Sequence, residues 1–200
     1  MIEISIFGGI FGPIAELWYF ADYWRPPSLF GIAVPSIEDF LFGFSIVGIC
    51  ASIYYFIFNK KQRYENKSIA IVDFLINKKL ISIVLNIIIL MIILNNLLKI
   101  NSIFASSFIF LICSIFILFK RKKLLSLSVT ASLFLPLLIL PIYHLILNII
   151  ITPDFFQKYW LLNNTFWGIK ILGNIPITEL IWYFAAGSFF SVLYEFVTES

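Results

Sequence analysis

Apolar residues fill six long segments of the chain, and polar residues gather in the stretches between them. A helix that crosses the hydrocarbon core of a bilayer needs about 20 apolar residues. The pattern therefore predicts an all-α fold, a polytopic membrane helix bundle forming one domain over residues 1–200. The six predicted transmembrane helices are residues 2–24, 35–58, 80–98, 102–119, 124–150 and 175–197. The fifth contains Pro136 and Pro141, so we expect a kink or a break in it.

Composition agrees with a membrane protein. The 200 residues are 61% hydrophobic and 12% charged, whereas a soluble domain is about 25% charged. Glu3 stands where a signal peptide would carry basic residues, and no small-residue cleavage site follows, so we expect the first segment to remain as a span. Cys50 and Cys113 lie within predicted spans and are expected to pack as small hydrophobic groups.

Basic residues are concentrated in two loops that lie on the same side of the membrane. Residues 60–79 and 120–123 together hold most of the 14 Lys and Arg residues. The positive-inside rule then places both loops and both termini in the cytoplasm. Because the excess charge flanks membrane spans, it indicates no nucleic-acid partner. The abundance of Ile, Asn, Lys and Phe suggests a microbial source, so we predict a multi-pass protein of a microbial cell membrane.

Three copies of a Pro-x-x-Glu motif place carboxylic acids in apolar segments. They are Pro13–Glu16, Pro35–Glu38 and Pro176–Glu179. The predicted topology brings all three acids, and all five tryptophans, to the outer half of the membrane. An ionisable residue within a span is costly, and a functional role is the default hypothesis.

Some of these acids also have a structural interpretation. Proline in the first turn and glutamate near the positive end of the helix dipole are ordinary features of a helix start. Glu38 and Glu179 can each be explained in this way. Glu16 is predicted in mid-helix, where this explanation does not apply. Asp39, next to Glu38, is predicted to face either the same cleft or the headgroups.

Other polar residues near the spans are expected to be structural. Asp22, near the outer end of the first helix, is expected to be solvated. Glu195, at the inner end of the last helix, is expected near water and paired with cytoplasmic lysines. His144, the single histidine, is expected to be hydrogen-bonded within the bundle.

The second and sixth helices show a diverged internal repeat. Gly48-x-x-x-Ser52-x-x-Tyr55 corresponds to Gly187-x-x-x-Ser191-x-x-Tyr194, within the two motif blocks 13–58 and 160–197. Internal repeats in membrane proteins commonly place a binding site at their interface. Small residues at this spacing are equally ordinary helix-packing positions.

Aromatic residues accompany each acid at helical spacing, because residues three and four apart share a face. We predict a substrate-binding set of Trp18, Tyr19, Phe42, Trp182 and Tyr183, of which all but Trp18 stand at this spacing from an acid. The sequence shows no Gly-rich phosphate loop, dinucleotide fingerprint, Cys/His metal cluster, Ser/His/Asp arrangement or Asp-rich diphosphate motif. We expect no cofactor and no metal.

Two blocks of the sequence resemble the lycopene cyclase domain family, small membrane-embedded carotenoid cyclases found as fused or paired halves. In the first, Asp22-Tyr-Trp-Arg-Pro-Pro27 is followed by Gly31 and Pro35-Ser-Ile-Glu-Asp39. In the second, Trp160 is followed by Trp167-Gly168 and Pro176-Ile-Thr-Glu-Leu180. The acidic pair of the family is present as Glu38-Asp39 in the first block, whereas the second block departs from it, with Leu180 in place of the second acid after Glu179.

The resemblance implies a redox-neutral acid/base cyclisation of a linear carotenoid or isoprenoid end group. It implies Glu38, Asp39 and Glu179 as the acid/base set and a hydrophobic polyene as the substrate. The remaining copy of the Pro-x-x-Glu motif adds Glu16 as a further member of the set. One carboxyl group supplies a proton to an alkene and another removes one, while aromatic rings stabilise a cation by about 0.5–2 kcal/mol each. Whether a homo- or hetero-oligomer is needed stays open.

Two other interpretations fit the same residues. In the first, the protein is a non-catalytic isoprenoid- or lipid-binding membrane protein. In the second, it is a small proton-coupled transporter that uses the buried acids.

The charge pattern predicts the sidedness of the loops. With the native cysteines replaced, a cysteine at Gln62 and one at Asn163 should react with a membrane-impermeant thiol reagent from opposite sides, Gln62 from the cytoplasm. Labelling of both from outside would contradict the six-helix topology.

Overall fold

The structure is a computed structural model that describes residues 1–28, 35–60, 70–172 and 174–198. Helix follows helix within these ranges, with a single two-stranded antiparallel hairpin near the C-terminal helix. The elements are α1 (Ile2–Asp22), α2 (Ile37–Ile57), α3 (Ile71–Leu75), α4 (Lys78–Met91), α5 (Ser102–Lys120), α6 (Leu125–Tyr143), α7 (Phe155–Tyr159), β1 (Lys170–Ile171), β2 (Ile175–Pro176) and α8 (Ile177–Thr198).

Six of the described helices are long and apolar enough to cross a membrane, which confirms the predicted all-α polytopic bundle. α4 reaches the required length through a π-helical end, Ile92–Leu97, and α6 through a short 3₁₀ start, Lys122–Leu124, and a π-helical end, His144–Ile151. Each boundary lies within two residues of its prediction.

The fifth span shows no break at its prolines. α6 continues through Pro136 and Pro141, and the chain then widens into a π-helix that begins at His144. A proline lacks the N–H for one backbone bond, and a wider turn further along is one way for a helix to absorb the mismatch. His144 itself is exposed on this turn, so the expectation of a histidine bonded within the bundle is wrong.

α8 is the central helix of the bundle. It packs against α2, α5 and α6, whereas α1 packs mainly along α2, and α4 lies at the periphery against α5. Along the apolar stretch of α8, 72% of the residues are buried, against 11% along the span Lys78–Leu97 that begins with α4. Hydroxyl groups of Ser114, Ser128 and Ser188 join α5, α6 and α8 in the core, with Oγ–Oγ distances of 2.7 Å and 2.8 Å to Ser188.

The central position of α8 overturns the expectation that Glu195 lies near water. This residue is 3% exposed and accepts a hydrogen bond of 2.6 Å from the Tyr55 hydroxyl. A residue on the last turn of a helix is near water only if that face of the helix is uncovered, and here the neighbouring helices cover it.

The outer end is the end of the bundle that the charge pattern predicts to lie outside, and short segments close it. After α1, the backbone at Trp24 forms an isolated antiparallel β-bridge with Trp160. Next to it, the Arg25 backbone N–H donates to the Tyr159 carbonyl at 2.8 Å. Asp22 is not merely solvated as expected, because it accepts hydrogen bonds from Ser102 at the start of α5. Buried aromatic residues of this region form their own cluster.

α1 and α2 approach each other through glycines. A Cβ atom at Gly8, Gly12 or Gly43 would clash with backbone atoms of the opposite helix. Small residues at such crossings allow membrane helices to pack closely. This contact sets the separation of the two helices that carry Glu16 and Asp39.

Replacement of Gly43 by alanine should push α1 and α2 apart. We expect Gly43→Ala to lower the free energy of unfolding in detergent by about 1–3 kcal/mol, the usual cost of overpacking. The control is Gly48→Ala on the same helix, whose Cβ would meet the Ser5 side chain, which can rotate away, and not the backbone of α1; it should lower the free energy of unfolding clearly less than Gly43→Ala. Equal losses would show that the glycine contact does not hold the two helices at this distance.

Candidate functional site

A cavity of about 380 Å³ lies between α1, α2, α4, α5 and α8. This volume falls in the range of small-molecule sites, about 300–1,000 Å³. Most of the wall is apolar, and the four predicted acids, Glu16, Glu38, Asp39 and Glu179, all line it. The structure therefore brings together residues that the sequence places on three separate helices.

Glu16 stands in the middle of α1 and is 7% exposed. Among the described residues, no group forms a hydrogen bond with its Oε1 atom. The Trp24 indole lies within hydrogen-bonding reach of the carboxyl group, and the charges of Asp39 and Glu179 act on it. Glu16 is thus a buried acid with spare hydrogen-bonding capacity inside a cavity.

Glu179 lies in the first turn of α8 and is also 7% exposed. The Tyr23 hydroxyl donates a hydrogen bond of 2.5 Å to its Oε1 atom, and Tyr143 lies within hydrogen-bonding reach of the same carboxyl group. Unlike Glu16, Glu179 is therefore held by tyrosine hydroxyl groups, which come from distant parts of the chain.

Tyr23 follows α1 and is 2% exposed. Burial, and then the nearby charge of Glu179, raise the pKa of the Tyr23 phenol well above its ordinary value. The phenol therefore keeps its proton. Its oxygen also lies 3.0 Å from Thr178 Oγ1, so Tyr23 is connected to two neighbouring residues at the start of α8.

Glu38 and Asp39 lie in the first turn of α2. Asp39 forms a capping box with Ser36: the Ser36 N–H donates to Asp39 Oδ2 at 2.9 Å, and the Asp39 N–H donates to Ser36 Oγ at 3.2 Å. Ser28 Oγ donates to Glu38 Oε1 at 3.3 Å. Of the two orientations that the sequence left open for Asp39, the structure shows the cleft.

Four of the five predicted aromatic residues line the cavity: Trp18, Tyr19, Phe42 and Trp182. The Trp182 indole N–H donates to the Tyr19 hydroxyl at 2.9 Å, and Phe42 stacks on Trp182 with a centroid distance of 6.2 Å.

The fifth aromatic residue, Tyr183, lies behind this layer. It is fully buried, and its hydroxyl shares a short hydrogen bond with Tyr143. Tyr183 is not among the described residues that line the cavity, and its direct contact with a substrate stays a prediction. On α8, Tyr183 faces α6, where its hydrogen bond orients the Tyr143 side chain.

Three further residues that line the cavity, Tyr23, Trp24 and Tyr143, were not predicted from the sequence. Tyr23 and Trp24 lie within the first motif block, and this is the signal by which they were detectable. Tyr143 lies on α6, far from either block, and its approach to Glu179 depends on how α6 crosses α8. Among the described residues, no group of three or more His, Cys, Asp and Glu side chains is arranged to hold a metal ion.

The fold and the site define a polytopic membrane protein with an acidic, aromatic-lined cavity towards the outer end of its bundle. A family model described as lycopene cyclase matches residues 101–197. This match confirms the resemblance to the lycopene cyclase domain family over the second half of the chain. The matched segment contains Tyr143, Glu179 and Trp182, whereas Glu16, Glu38 and Asp39 lie before it. The chain has no match among curated proteins or among solved structures.

Loss of the Tyr23 hydroxyl should weaken the fold around Glu179. We expect Tyr23→Phe to lower the free energy of unfolding by about 1–3 kcal/mol, because a buried carboxyl group loses a short hydrogen bond. The measurement is the denaturation midpoint in detergent. The control is Tyr159→Phe, which removes a hydroxyl from a ring packed on Phe155. It should change the free energy of unfolding by about 0.5 kcal/mol or less. A Tyr23→Phe variant as stable as this control would contradict the structural importance of the bond.

Proposed function

We propose that this protein is a lycopene cyclase-like enzyme of a microbial cell membrane that cyclises an end group of a linear carotenoid or related isoprenoid polyene. One observation carries the proposal: acids from α1, α2 and α8 converge on a single apolar, aromatic cavity, in a chain whose second half matches the lycopene cyclase family.

The reaction needs only proton transfer. A proton adds to the terminal alkene, the electron pair of a second alkene closes the ring, and a neighbouring carbon then loses a proton to give a ring double bond. Atoms and electrons balance without an oxidant or a reductant. General acid and base groups are the catalysts that such a sequence requires, and carboxyl groups in the cavity supply them.

The cavity also suits the carbocation between these two proton transfers. Tyr19, Phe42 and Trp182 form a contiguous set of rings at one side of it, and each ring face stabilises a cation by about 0.5–2 kcal/mol. The apolar wall keeps water away from the cation, which prevents its capture as an alcohol.

The size and the position of the cavity suit a substrate dissolved in the bilayer. A volume of about 380 Å³ holds one end of a long polyene and not the whole molecule. α1 and α4 both contribute to the wall but pack against each other only sparsely. We propose that the remainder of the polyene extends into the lipid between these two helices.

A non-catalytic isoprenoid-binding protein is the second candidate function. The capping box of Asp39 favours it, because the box gives one of the four acids an ordinary structural role. Binding without chemistry would use the same apolar cavity.

Expression in a lycopene-producing host tests the proposal. The wild type should convert lycopene to a cyclic carotenoid, whereas Glu16→Gln and Glu179→Gln should each lower the normal ring product by about 10²–10⁴-fold. Glutamine keeps the shape of glutamate but transfers no proton.

The matched control is Glu195→Gln, which also replaces a buried glutamate of α8, at the end away from the cavity. It should retain the normal ring product. Comparable product from both motif variants would make these glutamates structural. A wild type that is inert with lycopene and other linear polyenes would move isoprenoid binding to first place.

A further inference from the structure

Glu16 and Glu179 share the cavity but have different hydrogen-bonding surroundings. We propose that they divide the two proton transfers: Glu16 donates the proton that starts ring closure, Glu179 removes the proton that ends it, and Tyr23 is a positioning residue for Glu179. This inference rests on the proposed function and deepens it, because it assigns a direction to each transfer.

The surroundings of Glu16 favour a proton donor. Its Oε1 atom has no hydrogen-bond partner within the described part of the chain, although the Trp24 indole lies within reach of the carboxyl group. A buried charge that is only partly hydrogen-bonded is costly. Asp39 stands close by, and its carboxylate accepts the Ser36 N–H at the positive end of α2. Of these two neighbouring acids, Asp39 is therefore the better placed to carry a negative charge, and Glu16 the better placed to hold a proton.

The surroundings of Glu179 favour a proton acceptor. Tyr23 has one hydroxyl proton, which it directs to Glu179 at 2.5 Å. Thr178 then donates its own proton to the Tyr23 oxygen at 3.0 Å. A second hydroxyl, that of Tyr143, lies within reach of the same carboxyl group. Donors aimed at a carboxylate stabilise its anionic form, and such charge-assisted bonds are short and strong.

The proposed steps balance. The Glu16 proton adds to the terminal alkene, a C–C bond closes the ring, and a carbocation forms. The Glu179 carboxylate then takes a proton from a carbon beside the cation, and the electron pair of that C–H bond becomes the ring double bond. One proton must return from Glu179 to Glu16 before the next turnover, and the two groups are close enough for the charge of one to act on the other.

The test compares what accumulates in a lycopene-producing host whose wild-type strain forms the normal ring. Glu16→Gln should leave lycopene unchanged, with a loss of conversion of about 10²-fold or more. Glu179→Gln should still consume lycopene. Its products should be rings with a double bond at another position, raised about tenfold or more relative to the normal ring.

Tyr23→Phe separates positioning from folding. It should shift the product ratio in the same direction as Glu179→Gln, whatever its effect on the total amount of lycopene consumed. Tyr159→Phe is the matched control and should leave the ratio unchanged. A mere loss of folded protein lowers all products together and does not move the ratio. If Glu179→Gln does not fold, Glu179→Asp provides the same test, because its shorter carboxylate stands farther from the C–H bond.

Growth of the strains in deuterated water traces the first proton. Rings from the wild type and aberrant products from Glu179→Gln should carry solvent deuterium, whereas lycopene recovered from Glu16→Gln should carry none beyond that acquired during its own synthesis. Unchanged lycopene in Glu179→Gln, or aberrant rings in Glu16→Gln, would overturn the assigned direction and leave the proposed function intact. An unchanged product ratio in Tyr23→Phe would overturn its positioning role. A wild type without ring product would instead overturn the proposed function.

Discussion

A carboxyl group buried in a membrane bundle has to find its hydrogen-bond partners within the protein, and this constraint organises the outer end of the molecule. The partner of Glu179 on α8 is Tyr23, which directly follows α1. The bond therefore ties the first spanning helix to the last one. Trp24, the residue after Tyr23, forms an isolated β-bridge with Trp160, and this backbone pairing also holds the segment that carries Tyr23. The cavity lies beneath this connection.

The glycine contact between α1 and α2 acts together with that bond. Gly8, Gly12 and Gly43 allow the two helix backbones to approach closely, which brings the start of α2 to the level of Glu16. Asp39 and Glu16 become neighbours as a result. Close packing at glycines and a single long-range hydrogen bond thus place acids from three helices around one cavity.

α1 and α8 each carry a second buried acid near their inner ends, and these acids show what a structural carboxyl group looks like here. Glu195 accepts a hydrogen bond from Tyr55, and Glu3 lies within hydrogen-bonding reach of Tyr194. Neither lines the cavity within the described residues. Glu16 differs from both in having an oxygen without a partner among the described residues and an apolar space beside it. Exposure does not separate these acids, since all are almost equally buried; their hydrogen bonds and the adjacent space do.

The sequence by itself determined the six spans and the pairing of acids with aromatic residues. Both follow from local rules, the length of apolar segment that a bilayer requires and the helical spacing that puts residues on one face. Only the tertiary structure decided which way each face points. It turned Tyr183 towards α6, covered Glu195 with neighbouring helices, exposed His144, and brought Tyr23 and Tyr143 to Glu179. In a bilayer, lipid and protein surroundings are equally apolar, so hydrophobicity does not reveal which side of a helix is buried. That choice depends on close packing and hydrogen bonds between helices distant in the chain.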